Sequence, residues 1–465
     1  MVPEKSYEET DEFRYFLELT KVPRPSGHLT RIRSYLKDFA DTRGLEYLQD
    51  AGGNVVIRRN GGSGRTVVLQ GHMDIVATCA DGVTFDFVNQ PLETYVSDGW
   101  IHARGTTLGG DDGGGLALML CALTEPSLSG VNIECLFTAD EEIGLLGAMD
   151  LDGSMFTGRV LINIDGEGMD EITIGSAGSA DVVATFSYPF EKDTGKGYSV
   201  TVGGLRGGHS AGEIDKHRIN GILFIAGFLN SLGGVRIGRI EGGSASNVIP
   251  MRASASFTVP SDVDVRRLFE DYCSKHVDLV EEPGCTVSLK ENECPSTWSA
   301  EDSERFLNAL CTCPNGVMDR DEYGVCTSSN IGVIEDSSKV VIKPRSSDYP
   351  TLLALIKEIR ELMIDAGADA PEPVSFPAWK ESRDGHLVTA AVDTYRKHFG
   401  KEPKVTVIHG GLESSTIKDK CPGMEAISIG PNIRGAHTPD ECMELSSLTG
   451  MKEYLFELIH DLTGQ

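Results

Sequence analysis

The spacing of apolar positions predicts the elements. Phe13, Phe16 and Leu17, then Ile32, Tyr35, Leu36 and Phe39, recur at helical intervals, so residues 6–50 are expected to be helical. Four short apolar runs follow at 54–57, 66–70, 133–138 and 159–164, and each reads as a buried strand. Between the second and third lies GGDDGGGLALMLCAL at 109–123, a glycine-rich turn opening into an apolar helix. Strands alternating with helices predict an α/β domain with a largely parallel sheet. From about Phe186 the texture becomes alternating apolar and polar, as in YSVTVGG, ASASFTV and KVVIKP, with helices expected at 220–232, 265–277 and 351–366. That predicts an antiparallel sheet with helices on one face, an α+β insert. ADAPEPVSFPAW at 368–379 marks its exit. Beyond Lys380 the first pattern returns, with a helix near 384–399, strands VTVIHGG and AISIGP, and a C-terminal helix. The expected fold class is therefore α/β: a catalytic domain with a mostly parallel central sheet flanked by helices, interrupted by an inserted α+β domain. The expected division is 1–184 and 378–465 for the first and 185–377 for the second.

Charge narrows the partners. The 465 residues carry 42 Lys+Arg against 70 Asp+Glu, a formal net charge of −28. Phosphate backbones and anionic membranes are held largely by Lys and Arg, so neither nucleic acid nor membrane is an expected partner. The opening MVPEKSYEETDEFRYF has acids where a signal peptide needs a basic and then an apolar run. The longest clean apolar run, 116–123, is far shorter than the roughly twenty residues that span a bilayer. The 11 cysteines are scattered, with no CxxC pair and none closer than Cys311 and Cys313. Reduced thiols in a cytoplasmic protein are the expectation.

The candidate chemistry is positional. Run 66–70 leads into Gly71-His72-Met73-Asp74, run 133–138 into Ala139-Asp140-Glu141-Glu142, and run 159–164 into Asp165-Gly166-Glu167; run 426–430 precedes Gly435-Ala436-His437-Thr438-Pro439. In an open α/β sheet, ligands bind outside the carboxyl ends of the parallel strands. Histidines and carboxylates without cysteine suit a borderline cation such as zinc. His72, Asp111, Glu142, Asp165 and His437 suffice for two ions if one carboxylate bridges, and Asp111, in a glycine-rich turn, is the best bridge. Each residue alone has a plainer explanation: a strand-end cap, a solvated helix start at Glu141–Glu142, a flexible turn at Asp111–Asp112. GGDDGGG lacks the Gly-Lys-Ser/Thr of a phosphate loop. Charged groups abutting apolar strands four times over are costly to bury unless paired or metal-bound.

These residues carry a resemblance. Gly71-His72-Met73-Asp74, Gly109-Gly110-Asp111-Asp112-Gly113, Asp140-Glu141-Glu142, Asn163-Ile164-Asp165 and Gly435-Ala436-His437-Thr438-Pro439 resemble the five motifs of the co-catalytic di-zinc exopeptidases. That superfamily includes carboxypeptidase G, succinyl-diaminopimelate desuccinylase, carnosinase and aminoacylase. TTLGGDDG at 106–113, GGHSAGEI at 207–214, NVIP at 247–250, HGGLESS at 409–415 and GAHTPDE at 435–441 are similar to its aminoacyl-histidine dipeptidase branch, also called Xaa-His dipeptidase or peptidase D. The resemblance implies two zinc ions per subunit, with cobalt or manganese as substitutes. His72 and Asp165 would bind one ion, Glu142 and His437 the other, and Asp111 both. Asp74 would orient the His72 imidazole, and Glu141 would be the general base acting on a di-zinc-bound water. The inserted domain resembles a lid that also dimerises, so a homodimer is implied. Its His209 would stabilise the oxyanion, within or across subunits, and Asn247 and Arg345 would hold the substrate's C-terminal carboxylate. His409 reads as pocket wall rather than ligand. One stretch departs from the branch: where a His-Lys-Gly-Arg-Gly-Asn-like run follows His-Ser, this chain has Asp215-Lys216-His217-Arg218-Ile219-Asn220, which bears on substrate preference. Asp112, where some relatives have Asn, is within the family's range.

The implied activity is that of a metallodipeptidase acting on unblocked dipeptides, Xaa-His preferred. An N-acyl amino acid deacylase of the same superfamily and a non-catalytic zinc-binding protein remain as alternatives.

Overall fold

The computed structural model describes residues 7–62, 64–276 and 282–464. It divides into two compact units, one taking the chain up to Gly175, Trp379–Val407 and from Leu412 on, the other Ser176–Ala378 and Ile408–Gly411. The first division falls there because Gly178–Ala180 and Val182–Phe186 are strands of the inserted sheet, both paired with Lys339–Ser346.

The first unit is an α/β structure around a nine-stranded mixed sheet. Its centre is parallel: Thr66–His72 lies between Asn132–Thr138 and Val160–Asn163, and Glu425–Ser428 continues beyond the latter. Val67, Val68, Leu69, Ile133, Cys135, Leu136, Phe137, Leu161 and Ile162 are buried, as continuous apolar strands covered on both faces should be. Antiparallel strands flank this centre. One of them corrects the expected helical run 6–50: helices occupy Asp11–Thr20 and Thr30–Arg43, but Glu46–Gln49 is a strand paired with Val55–Arg59. Gly44 ends the second helix in the left-handed region, φ 66°, which releases the chain to extend.

The apolar helix Gly110–Thr124 follows the glycine-rich turn as expected, but Asp111 (φ −82°, ψ 108°) and Asp112 (φ −107°, ψ 39°) are not helical. The glycines around them are there for space. A Cβ on Gly71 or Gly115 would fall 2.1 or 2.2 Å from the Asp112 carboxylate.

The inserted unit carries an eleven-stranded sheet whose pairings are antiparallel. Alternate residues of its strands, such as Tyr198, Val200 and Val202, join Phe224, Phe228, Phe306, Leu310, Leu355 and Ile359 of the helices in one core. Helix Gly221–Asn230 is capped by Asn220, whose Oδ1 accepts the Ile222 and Leu223 amides at 3.0 and 3.2 Å. Helix Val265–Lys275 falls within the expected 265–277; residue 277 lies outside the described residues. Helix Tyr349–Asp365 starts two residues early because Asp348 caps it and Pro350 sits in its first turn.

Candidate metal centre

Three neighbouring parallel strands deliver the first candidate ligands. Their ladder aligns Gln70 with Leu136 and Asn163, so the residues just past these positions emerge side by side. His72 ends one strand, Glu141 and Glu142 follow the second, and Asp165 follows the third. Asp111 reaches in from the turn before the apolar helix, and His437, at φ 66°, from the turn after Ile433–Arg434. His72 Nε2 lies 2.9 Å from Asp111 Oδ1 and 3.4 Å from Asp165 Oδ1. His437 Nε2 lies 3.2 Å from Asp111 Oδ2 and 3.0 Å from Glu142 Oε2. The two oxygens of Asp111 thus face one imidazole each. Three sets of potential ligand atoms each fall within 4.8 Å: His72–Asp111–Asp165, Asp111–Glu142–His437 and His72–Glu141–Glu142. The first two share Asp111.

The electrostatics favour a cation here. Burial opposes charge on His72, but Asp165, Asp111 and Asp74 outweigh it and hold its pKa well above the ordinary value. Hydrogen bonds to Asp111 and Glu142 raise that of His437 to about 11. Burial pushes Asp111 up, yet its bonds to His437 and His72 bring it well below the usual carboxylate range. Burial, reinforced by Asp111, lifts Asp165 to about 7 despite His72. Burial also holds Glu141 well above its ordinary value. Glu142 Oε1 is buried without a hydrogen-bond partner among the described residues. Imidazole nitrogens, carboxylate oxygens and an orphaned buried oxygen are a donor set that fits a pair of divalent metal ions.

Several residues support this cluster. The Asp74 carboxylate accepts the Glu141 and Glu142 amides at 3.0 and 3.2 Å and the Ser26 hydroxyl at 2.8 Å. It lies 3.6 Å from His72 Nδ1, which is closer, at 3.1 Å, to the Asp74 carbonyl. Asp74 therefore fixes both the imidazole and the backbone of the glutamate pair, and its pKa is brought to about 2, burial being outweighed by His72 and these bonds. Two supporting residues are not among those the sequence singled out. Buried Arg24 donates to the carbonyls of Met73, Asp74 and Gly109 at 3.0, 3.3 and 2.8 Å. Glu441 accepts the amides of Leu108, Gly109 and Asp111 at 2.8, 3.0 and 3.2 Å, pinning the turn that presents Asp111. Glu441 lies in GAHTPDE, four residues past His437, where the motif itself could have flagged it.

The inserted unit holds His209, Asn247, Arg345 and His409. A two-residue ladder pairs His209 with Val248, and the Ser210 amide donates to the Asn247 carbonyl at 2.8 Å, so His209 and Asn247 are neighbours. His209 Nδ1 accepts the Ala211 amide at 3.2 Å. Arg345 is 4% exposed, and its Nε has no hydrogen-bond partner among the described residues. Burial, partly offset by Asp181, lowers its pKa to about 10. Arg345 is paired across the sheet with Ser328, whose hydroxyl lies 2.7 Å from His409 Nε2. Burial, then Arg345, lowers the His409 pKa to about 4.

That shift makes a prediction. Between about pH 6.5 and 4 the unfolded chain protonates His409 while the folded chain does not, so unfolding is favoured as pH falls through this window. At pH 5 the linkage costs about 2 kcal/mol relative to pH 7. Urea unfolding of His409→Gln at the two pH values should lose that share of the acid sensitivity. An unchanged difference would mean that His409 titrates normally in the folded protein.

The model of peptidase family M20/M25/M40 matches residues 68–461. Cytosol non-specific dipeptidase of Escherichia coli (strain K12) is 30% identical over 476 aligned residues, spanning 97% of each chain. Among solved structures, aminoacylhistidine dipeptidase from Vibrio alginolyticus superposes with a TM-score of 0.86 at 29% identity, covering 98% of both chains. A tripeptidase from Staphylococcus aureus shares the fold, with a TM-score of 0.59 at 18% identity over 99% of each. The family match runs from the strand that ends in His72 to the C-terminal helix, and with it the chain belongs to peptidase family M20/M25/M40.

Proposed function

We propose that this peptidase hydrolyses unblocked dipeptides, those with histidine in second place preferred, at the cluster centred on Asp111. The observation that carries the reading is that two ligand sets share Asp111 while Glu141, adjacent to a ligand of one of them, stands beside both. The E. coli relative, a non-specific dipeptidase, and the Vibrio relative, an aminoacylhistidine dipeptidase, support a dipeptide substrate.

His72 and Asp165 would hold one ion, Glu142 and His437 the other, and Asp111 both. Zinc suits the nitrogen and oxygen donors, with cobalt or manganese as substitutes. A metal pair bound there supplies a water of lowered pKa and a polarised scissile carbonyl. Glu141 takes the proton of the attacking water and delivers it to the leaving amine; burial raises its carboxyl above the ordinary value, which favours holding a proton. Asp74 keeps Glu141 in place through its amide. In the inserted unit, His209 accepts a hydrogen bond at Nδ1, which leaves its proton on Nε2, the tautomer that can donate to an oxyanion. Asn247 and the buried, under-bonded guanidinium of Arg345 receive the substrate's C-terminal carboxylate.

Arg345→Ala should raise KM for dipeptides by about 10- to 100-fold, the worth of a charge-assisted hydrogen bond. Hydrolysis of the corresponding C-terminal esters should change only a few-fold. Equal effects on both would remove the carboxylate clamp.

By the same reading the protein is cytoplasmic and pairs through its inserted unit as a homodimer. The E. coli relative is a cytosol enzyme, and no helix among the described residues is long and apolar enough to cross a membrane. Metal analysis and light scattering on the purified protein test the ion and the assembly.

The deciding experiment is hydrolysis of β-Ala-His, Gly-His, Ala-Ala, Ala-Ala-Ala and N-acetyl-His by the metal-loaded protein, with and without a chelator. Chelator-sensitive cleavage of the dipeptides alone supports the reading, and the His/Ala ratio ranks the preference. Cleavage of N-acetyl-His with intact dipeptides would make the protein a deacylase. Silence with two ions bound would make it a non-catalytic metal binder.

A further inference from the structure

Glu413 opens helix Glu413–Lys420 and is fully buried. Its Oε2 accepts hydrogen bonds from Gln70 Nε2 at 2.7 Å and from the Thr138 hydroxyl at 2.6 Å. Gln70 Nε2 also donates to Thr138 Oγ1 at 3.1 Å, and Gln70 Oε1 accepts from Asn163 Nδ2 at 2.8 Å. Gln70, Thr138 and Asn163 belong to the three parallel strands at the centre of the sheet. His72 lies two residues past Gln70, Asp165 two past Asn163, and Glu141 and Glu142 three and four past Thr138. The backbone ladder holds the strands as far as His72, Thr138 and Asn163. Asp165 and the Glu141–Glu142 pair lie beyond it, where side-chain bonds help to set how the ligands splay.

A carboxylate buried among neutral donors is expensive. The plain explanation, an acid at a helix start, does not account for it: Glu413 spends its Oε2 on two other elements rather than on the amides of its own helix. Burial raises its pKa to about 8, so an uncharged side chain suits the pocket, and what the two donors need is an acceptor oxygen.

We propose that Glu413 is a positioning residue of the metal centre: one oxygen that ties together the ends of two parallel strands, and through Gln70 a third, so that His72, Asp165 and the Glu141–Glu142 pair converge. The inference rests on the proposed metallopeptidase reading and adds to it a residue that touches neither metal nor substrate. Because the acceptor oxygen matters rather than the charge, an amide replaces the carboxyl.

The test uses the full chain, stripped of metal and reloaded with zinc. Zinc affinity by chelator competition, kcat and KM for a dipeptide, and the urea midpoint are measured for wild type, Glu413→Ala, Glu413→Gln and Thr138→Val. Glu413→Ala should weaken zinc binding about 10- to 100-fold, the usual effect of losing a group that orients a ligand. Its kcat should fall in step, with KM changed by less than about threefold. Glu413→Gln should restore both readouts to near wild type, and Thr138→Val should show a smaller loss of the same kind. Wild-type zinc affinity in Glu413→Ala, or a Gln variant as impaired as the Ala one, overturns the proposal. If Glu413→Ala does not fold, Thr138→Val decides, and undiminished affinity and kcat there overturn it. These failures, in a wild type that binds zinc and cleaves dipeptides, leave the functional reading standing. A wild type that does neither overturns both.

Discussion

Glu141→Gln should lower kcat for dipeptides by about 10²- to 10⁴-fold, the range a positioned general base contributes, while leaving the bound metal unchanged. Glutamine keeps the shape and loses only the ability to take a proton. The backbone amide that fixes the residue on Asp74 is untouched, so the neighbouring Glu142 stays where it is. Burial disfavours the charged form of Glu141, so the neutral side chain should leave the urea midpoint the same or higher, a separation that a purely structural glutamate would not produce. Metal analysis beside steady-state kinetics checks it. A near-normal rate sinks the base assignment. Loss of one metal equivalent would instead make Glu141 a ligand, in the set it forms with His72 and Glu142.

What the sequence revealed of this site follows from where information is local. His72, Glu142 and Asp165 stand out because each abuts an apolar run, and a charge at the end of a buried strand is visible within ten residues. Asp111 stands out because glycines crowd it, and the structure shows why: the backbone passes within reach of the Asp112 carboxylate at Gly71 and Gly115. Arg24, Glu413 and Glu441 are different. Each acts on chain far away in sequence, Arg24 on Met73 and Glu441 on Leu108; Glu413 and Glu441 fall inside the motifs HGGLESS and GAHTPDE, but the motifs do not say what either residue holds. Only the tertiary contacts make them part of the site. The hairpin Thr94–Ser97 and Trp100–Ala103 had a signal that the apolar pattern passes over. Asp98 and Gly99 between the strands both have positive φ, 51° and 81°, the mark of a type I′ turn. The first strand is too exposed to register as an apolar run.

Asp111→Ala should do more damage than the loss of any other ligand, because Asp111 alone belongs to both the His72–Asp165 set and the Glu142–His437 set. Asp165→Ala or Glu142→Ala removes one donor from one of these two sets; Asp111→Ala removes a donor from each. Most of the bound zinc should be lost, and kcat/KM should fall by at least about 10³-fold, beyond either of those variants. The charge on the imidazoles supplies an independent readout. In the metal-free protein His437 carries a pKa of about 11, set first by Asp111 and then by Glu142. The stabilisation this gives the folded state is complete below about pH 6.5 and fades as pH rises toward 11, and Asp111→Ala should shrink it. The carboxylates around His72 raise its pKa well above the ordinary value as well. Both must release a proton before they can ligate, so zinc affinity of the wild type should rise with pH near neutrality, about tenfold per proton per pH unit, or up to a hundredfold for the two together. Chelator competition at pH 6, 7 and 8 measures the slope. A flat profile would mean that His72 and His437 do not give up protons to the metal, and the shared-carboxylate centre would fall with them.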